Sequence, residues 1–442
     1  MVIPRPIEGK HRTIKNRINV VLYVLFLVLP FIRVAGRPIL LLDIPARKFH
    51  IFGLEIWPHE LYFLHLILLM SGLMLFFFTA LFGRIWCGYG CPQTIFLEFY
   101  DAIARIFVGG DYGKKPLAGF AKVKAYLAYT LSAVFFSFIF LAYFKPYEAI
   151  IADIAAGHFF LREGSLMPAA WVVFMVMSIG FALFNAGYFR ENVCRLICPY
   201  GRFQTALLDK HSPIVSYDVN RGEPRREGKQ KLFEHKGDCI DCNLCNLVCP
   251  TGIVIRQGLQ IGCIACGLCV DACTQVLSKH NRPTLIDYRT IEQVKNPDAH
   301  RPYLRPRTAI YGVLLTILLS TFIGLLIVRV PIYGVALRDR GIQSSYVPGQ
   351  GYQNVYELHV GNVSHQAIEV KILIEDKRFE ILSPQESYKI SAEGLETLRF
   401  VVRSNEENSM ARSRPIEFKI VDIHQPKNEK LLKSIFTYPV QG

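Results

Sequence analysis

The twelve cysteines of this 442-residue chain fall into four groups, and their spacing is its chemical signal. Cys239-x2-Cys242-x2-Cys245-x3-Cys249-Pro250 is followed by Cys263-x2-Cys266-x2-Cys269-x3-Cys273. Each run has the spacing of a bacterial ferredoxin. Three thiolates two residues apart wrap one face of a cubane, and the fourth cysteine ligates the other cluster. The pattern assigns Cys239, Cys242, Cys245 and Cys273 to one [4Fe–4S] cluster and Cys263, Cys266, Cys269 and Cys249 to a second. Zinc sites need four ligands and pair two C-x2-C knuckles, and disulfides are disfavoured in a reducing compartment. Neither accounts for eight cysteines in a doubled run. Gly252, Gly262 and Gly267 are expected to let the backbone approach the sulfides closely. Thr274 stands where the generic run has proline, a departure expected to alter the local turn and the cluster's potential rather than ligation.

The other four cysteines form an internal repeat. Phe82, Cys87, Cys91, Pro92 and Phe96 match Phe189, Cys194, Cys198, Pro199 and Phe203 at a constant offset of 107. Each copy follows an apolar stretch with C-x3-C-P. If these turns are helical, residues four apart share a face, and the two faces together would offer four thiolates. Soft thiolates select Cu(I), zinc or an iron–sulfur cluster, and a redox-active dithiol pair is a further alternative. Small apolar residues at helix ends would be the plain reading. The duplicated spacing, with every remaining cysteine in the ferredoxin runs, argues instead for metal or redox chemistry. Histidines add little. His59 and His65 belong to one apolar stretch and its start, and 125–144 and 169–189 contain none, so a haem held between helices is not expected. His50, His59, His65 and His158 read as solvated or interfacial, with a metal on the outer side as the alternative. Lys236 and Arg256 read as solvent-facing, with tuning of potential or docking of an acidic donor as their functional alternative.

What must position these groups is a membrane-spanning scaffold. Hydrophobic residues make up 51% of the chain and charged residues only 19%, with a mean hydropathy of +0.27. Five stretches, roughly 17–36, 60–82, 125–144, 169–189 and 309–330, approach the ~20 residues needed to cross a ~30 Å hydrocarbon core. The basic start runs on toward Pro30 without a small-residue cleavage site, so no cleavable signal peptide is expected. Arg5, Lys10, Arg12, Lys15 and Arg17 precede the first stretch. Arg84, Arg105, Lys114, Lys115, Lys122 and Lys124 lie in 83–124, whereas 145–166 carries only Lys145 and Arg162. Arg301, Arg305 and Arg307 precede the last stretch. The positive-inside rule then puts the N-terminus and 190–308 in the cytoplasm and the C-terminal region outside. Arg33, Arg37, Arg47 and Lys48 in the outer loop 33–59 run against it. Residues 331–442 hold 14 Lys and Arg and 14 Asp and Glu, so the whole +14 lies in residues 1–330. That charge suits anionic lipid at the inner leaflet rather than nucleic acid.

Residues 335–442 alternate as strands do, in Tyr356–Val360, Glu369–Ile374, Thr397–Val402 and Glu417–Val421, with turn residues such as Pro348-Gly349 between them. Several short strands in about 100 residues suggest a small sandwich that binds or docks. The Asn362-Val363-Ser364 triplet reads as an accidental glycosylation motif. The expected fold is a multi-domain membrane protein. It combines a helical transmembrane bundle of about five spans, an inserted α+β two-cluster ferredoxin domain of bacterial type and a C-terminal immunoglobulin-like β-sandwich. The expected boundaries are 1–230 (four spans and both C-x3-C-P motifs), 231–300 (ferredoxin), 301–334 (fifth span) and 335–442 (periplasmic sandwich).

Longer runs sharpen this reading. Asp43-Ile44-Pro45-Ala46-Arg47-Lys48-Phe49-His50-Ile51-Phe52-Gly53 precedes Trp86-Cys87-Gly88-Tyr89-Gly90-Cys91-Pro92-Gln93-Thr94. Cys194-Arg195-Leu196-Ile197-Cys198-Pro199-Tyr200-Gly201-Arg202-Phe203-Gln204 follows, then the two ferredoxin runs and the β-rich tail. Over essentially its whole length the chain resembles the FixG/RdxA/CcoG family, accessory proteins of cbb-type haem–copper cytochrome oxidase. The resemblance implies a multi-pass polyferredoxin of the bacterial inner membrane that helps assemble the oxidase. It implies a cupric reductase, converting Cu(II) to Cu(I) before copper reaches the catalytic subunit. Cys87, Cys91, Cys194 and Cys198 are then the candidate catalytic site, holding copper or a further cluster. The partners to expect are a haem–copper oxidase catalytic subunit or copper chaperone, a cytoplasmic electron donor and the lipid bilayer, with no nucleic acid. Two rivals belong to other classes. One is a quinone-linked electron-transfer subunit, marked by reduction of the clusters by quinol. The other is a redox-sensing assembly scaffold, marked by partner binding that changes on cluster loss without copper turnover.

Overall fold

The computed structural model describes residues 3–34, 36–45, 47–160, 168–225, 237–339, 341–342, 344–348, 351–382, 385–405 and 412–438. Ala46, Arg162, Lys236 and Gly349, named above, lie outside the described residues, as do the side chains of Arg37 and Gln204. The chain forms two compact units, residues 1–56 with 63–319 and residues 57–62 with 320–442.

Five helices are long and apolar enough to cross a membrane: Lys10–Phe31, Pro58–Phe82, Gly119–Leu141, Ala170–Phe189 and Pro306–Ile327. They match the five stretches expected from hydropathy, with shifted ends. The first begins at Lys10 rather than near 17 because its polar residues are paired. Arg12 and Lys15 meet Glu98 Oε1 at 3.1 and 2.7 Å, and Asn19 Nδ2 donates to Glu98 Oε2 at 2.6 Å. Glu98 belongs to the Pro92–Val108 helix, so the first turns of the span pack against protein. Val20, Leu68, Val176, Met177 and Ile317 remain exposed, as helix faces that meet acyl chains do. The core of this unit gathers around Tyr100, Ala104, Tyr129, Ala133 and Phe136, where small residues let helices approach closely.

The 33–59 loop contains a meander that the sequence reading missed. Leu40–Asp43 pairs with Lys48–Ile51, which pairs with Leu54–Ile56 through a tight turn at Phe52-Gly53. Both turn residues have positive φ, 50° and 83°, as type I′ turns require. Strands of three or four residues are too short to show alternation.

The ferredoxin portion is tied by an antiparallel pair, Pro213–Tyr217 with Ile286–Thr290. The first of these strands lies upstream of the boundary expected at 231. Between them sit two short helices, Leu244–Leu247 and Leu268–Leu277.

The second unit is a sandwich of two antiparallel sheets. One runs Phe379–Leu382, Leu395–Ser404, Gly351–Asn362, Ile332–Arg338, with Ser345–Val347 also on Gly351–Asn362. The other runs Tyr388–Ile390, Ile368–Ile374, Ser413–Asp422, Glu429–Thr437. All four strand segments read from alternation fall inside observed strands. Tyr356, Phe400, Phe418 and Phe436 fill the space between the sheets. Asn362 is fully buried. It donates to the carbonyls of Gln366 and Ser391 at 2.6 and 3.0 Å and accepts from Ser364 N at 2.8 Å. The triplet is therefore a structural turn. Within the same unit Arg329 grips Glu60 with two bonds of 2.7 Å, and His59 stacks on Tyr333 with centroids 3.9 Å apart.

Candidate functional site

The two ferredoxin runs share a backbone as well as a spacing. Asp241 and Asn243, on either side of Cys242, have φ of 54° and 56°. Ala265 and Gly267, on either side of Cys266, have φ of 50° and 74°. Two left-handed residues flanking the central cysteine curl each run so that its sulfurs face one point. Gly252 also has positive φ, 64°, whereas Gly262 serves by closeness. A Cβ there would lie 3.0 Å from Ile253 Cγ2. After Cys249 the chain turns at Pro250. After Cys273 the helix continues through Thr274 to Leu277, because threonine keeps the N–H that proline lacks.

Two cavities result. One is lined by Cys239, Cys242, Cys245 and Cys273. The other is lined by Cys249, Cys263, Cys266 and Cys269, with Cys245 in the shared wall. Each cavity thus gathers the first three cysteines of one run and the last cysteine of the other. Burial pushes Cys245 up to about 11 and Cys266 up to about 12. Arg256 opposes this at Cys245 and Lys15 at Cys266. Four buried thiols do not ionise together without a compensating cation. An all-sulfur donor set of this kind fits iron of a [4Fe–4S] cluster. Arg256 lines the first cavity and is held by Asp241 and by Asn243 Oδ1, the latter at 3.0 Å. It therefore sits beside the thiols rather than pointing simply to solvent.

The C-x3-C-P copies are also alike in backbone. Gly83 and Arg190, equivalent positions of the repeat, have φ of 63° and 34° and break the helix after each span. A helical turn then carries the first cysteine, Ile85–Tyr89 for Cys87 and Val193–Ile197 for Cys194. The second cysteine is extended rather than helical, with ψ of 126° at Cys91 and 110° at Cys198. Pro92 and Pro199 open the next helices, where a missing N–H costs nothing. The i, i+4 expectation is thus replaced by a turn and a helix start that bring the thiols together. All four interact electrostatically. Burial pushes Cys87 and Cys194 up to about 12, Arg84 opposes this, and the neighbouring thiols add to it. Cys91 is raised by burial too, partly offset by N–H donation from Gln93 and Thr94. All twelve cysteines are free thiols.

The copies are clamped to one another. Gln93 and Asn185 exchange amide hydrogen bonds of 2.8 Å in both directions. Arg190 binds both oxygens of Asp101 at 2.9 and 2.7 Å, and the Tyr112 hydroxyl donates to the same carboxylate. They are also seated on the second ferredoxin run. A Cβ on Gly88 would lie 2.7 Å from Cys266 Cα and 2.8 Å from Ile264 O. Cys87 shares a buried cluster with Ile264, Cys266 and Leu268, and Cys194 packs against it. Arg84, nearly fully buried, donates to Ile261 O and, at 3.2 Å, to Gly201 O. The order is therefore linear. The first cavity, where Cys242 is exposed, shares a wall with the second, and the second adjoins Cys87 and Cys194 of the repeat.

Sequence reasoning missed the parts that dock these pieces. Asp271 accepts from the backbone N–H groups of His11 and Arg12 at 3.1 and 2.8 Å, capping the first span from the ferredoxin helix. Lys15, read as a topology determinant, has no exposed surface. Nothing local marks either residue. The one available hint was the pair of glycines around Tyr89 between the cysteines. Of the histidines considered as metal ligands, His50 lies 3.9 Å from Glu55 and His158 3.8 Å from Asp153.

Comparison with known proteins finds iron–sulfur domains and a FixG-type C-terminal domain in this chain. Residues 189–291 match the profile of a 4Fe-4S dicluster domain, and residues 64–109 that of a 4Fe-4S binding domain. Residues 322–439 match the immunoglobulin-like fold at the C-terminus of FixG. The chain is 35% identical to the protein RdxA of Cereibacter sphaeroides over 398 residues, covering 86% of this chain and 81% of RdxA. It is 34% identical to RdxB of the same organism, covering 78% of each. It is also 34% identical to the nitrogen fixation protein FixG of Rhizobium meliloti, covering 66% of this chain and 57% of that one.

Proposed function

Because this chain belongs to the FixG/RdxA family of iron–sulfur electron-transfer proteins, we propose that it reduces Cu(II) to Cu(I) at Cys87, Cys91, Cys194 and Cys198 during assembly of a haem–copper oxidase. The observation that carries this reading is that the four repeat thiols interact electrostatically, with Cys87 and Cys194 packed against the loop of Cys266. Cys239, Cys242, Cys245 and Cys273 hold one cluster and Cys263, Cys266, Cys269 and Cys249 the other, and these groups supply one-electron storage. The protein's own part is placement. Gly88 lets the membrane turn touch the ferredoxin loop, and Arg84 ties three segments together. Thiolates favour Cu(I) over Cu(II), so the four-sulfur site draws the metal toward the reduced state. Exposed Cys242 marks the end where a soluble donor reaches the relay. On the distribution of Lys and Arg the relay faces the cytoplasm of a multi-pass inner-membrane protein. The C-terminal unit then faces the periplasm, where it docks an oxidase subunit or copper chaperone.

The test is replacement of all four repeat cysteines by serine. The purified variant is expected to keep about eight irons and to lose cupric reduction. Unchanged reduction would refute the site. A second reading is favoured by the match of residues 64–109, which contain only Cys87 and Cys91, to a 4Fe-4S binding profile. In it the four thiols hold a third cluster. About twelve irons per wild-type chain, rather than eight, would establish that reading.

A further inference from the structure

One cavity beside the relay plays no part in that reading. It measures about 490 Å³, within the range of small-ligand sites. Ile14, Ile18 and Leu22 form its long wall, four residues apart on one face of the first span, with Phe78 and Trp86 also lining it. The neighbouring face of that helix, roughly a quarter-turn round, is the one paired with Glu98. From His11 to Leu22 the wall runs roughly 16 Å along the helix. Its polar groups gather at the His11 end. His11 Nδ1 lies 3.1 Å from the Tyr89 hydroxyl, and Nε2 of His11 makes no hydrogen bond among the described residues. Tyr89 is hydrogen-bonded to Tyr288, whose hydroxyl donates to Ala265 O at 2.6 Å. The His11 ring packs on Tyr288 with centroids 5.2 Å apart, and a Cβ on Gly267 would lie 2.7 Å from His11 Cγ. Ala265 and Gly267 flank Cys266. A ring held by His11 therefore stands a few atoms from a cluster ligand, with an apolar channel leading from it along the span.

We propose that this groove binds a lipid-soluble quinol and is a second point of electron entry. The headgroup sits at His11 and Tyr89, and the isoprenoid tail lies along Ile14, Ile18 and Leu22. Among the described residues lining the groove none is Lys or Arg. A phosphate headgroup finds no counter-charge there, whereas a quinol hydroxyl finds an imidazole acceptor and a phenol. The inference builds on the cupric reading and supplies its reductant. Oxidation of one quinol to quinone releases two electrons and two protons. The electrons leave singly on the Cys266 side and match the conversion of two Cu(II) to two Cu(I). The protons leave through His11 Nε2 to water. A donor of two electrons feeding an acceptor of one needs somewhere to leave the second, and a group held by Cys239 and Cys245, behind the cavity of Cys266, would provide it.

The experiment uses full-length protein in nanodiscs and an azidoquinone with an isoprenoid tail. Photolabel is expected in the peptides carrying His11–Leu22 or Ile85–Gly90, and to be displaced by unlabelled quinol. Ile18→Trp, which fills the groove, should abolish the displaceable label, and His11→Ala should lower labelling at subsaturating probe by about tenfold, the worth of one hydrogen bond. In the same preparations decylubiquinol under anaerobic conditions should raise the EPR signal of reduced clusters. Each variant's rate is normalised to the signal that dithionite develops in it. Label spread over the lipid-facing helices, label undiminished by Ile18→Trp, or clusters reduced by dithionite but not by quinol would overturn the proposal, including the case in which an acyl chain fills the groove. Mixing dithionite-reduced protein with Cu(II) tests the copper reading without any quinol, so the two fail separately.

Discussion

Lys15 is a cation with no exposed surface in the opening turns of a span, and Glu98 makes that position tenable. Burial alone would raise the Glu98 carboxyl, but Lys15, Arg12 and Asn19 outweigh it and hold it below its ordinary value. A depressed carboxyl contributes stability that is fully present above its unfolded pKa of ~4.3 and is lost as pH falls through the lower folded value. Glu98→Gln leaves Lys15 buried without a countercharge and should cost ~3–5 kcal/mol, read as an earlier unfolding transition in detergent. Adding Lys15→Met to Glu98→Gln should recover most of that loss, since the stranded charge is gone. A variant pair whose losses simply add would show that the ion pair is not what the residues share. The sequence reading took Lys15 with its basic neighbours as a topology signal. Its partner is a residue on another helix, and side-chain pairing between distant segments leaves no local pattern.

At the scale of elements, the same conformational devices recur in pairs. Left-handed residues flank Cys242 and Cys266, and left-handed breaks at Gly83 and Arg190 precede the two membrane turns. Spacing in sequence was enough to group the eight ferredoxin cysteines, because three ligands of each set are local and the fourth follows from the doubled run. It was enough to pair the C-x3-C-P copies as well. It could not say that the copies rest on the second run rather than the first. That depends on Gly88, where a methyl group would collide with backbone atoms of Ile264 and Cys266. Gly88→Ala must therefore part the two elements. It should cost ~1–3 kcal/mol and slow copper reduction by dithionite-reduced protein while iron content stays at the wild-type value. Equal rates in Gly88→Ala and wild type would mean that electrons do not cross at this contact.

The whole molecule divides at places that the hydropathy profile only partly announces. Residues 57–62, at the head of the second span, belong with 320–442. The strands Ile332–Arg338 and Glu429–Thr437, diluted by exposed or glycine positions, and the short strands Ser345–Val347, Phe379–Leu382 and Tyr388–Ile390 were missed, whereas Gly351–Asn362, Ile368–Ile374, Leu395–Ser404 and Ser413–Asp422 were legible from alternation. The second unit owns a complete core, so residues 331–438 expressed alone should unfold in one cooperative transition. Asn362→Ala in that fragment should cost ~1–3 kcal/mol by removing the buried amide that ties the carbonyls of Gln366 and Ser391 together. A fragment without a cooperative transition would show that this unit depends on the membrane helices.

The cap supplied by Asp271 has a consequence in time. The helix it caps leaves the ribosome well before the residue that completes it, which follows 260 positions later. At bacterial and eukaryotic synthesis rates of about 5–20 residues per second that is a delay of roughly 13–52 s. Throughout it the leading helix stands with open N–H groups, and only a finished ferredoxin segment closes them. The nascent chain therefore carries its own checkpoint: the Lys10–Val28 helix is completed only after the cysteines of both runs have been translated up to Cys269.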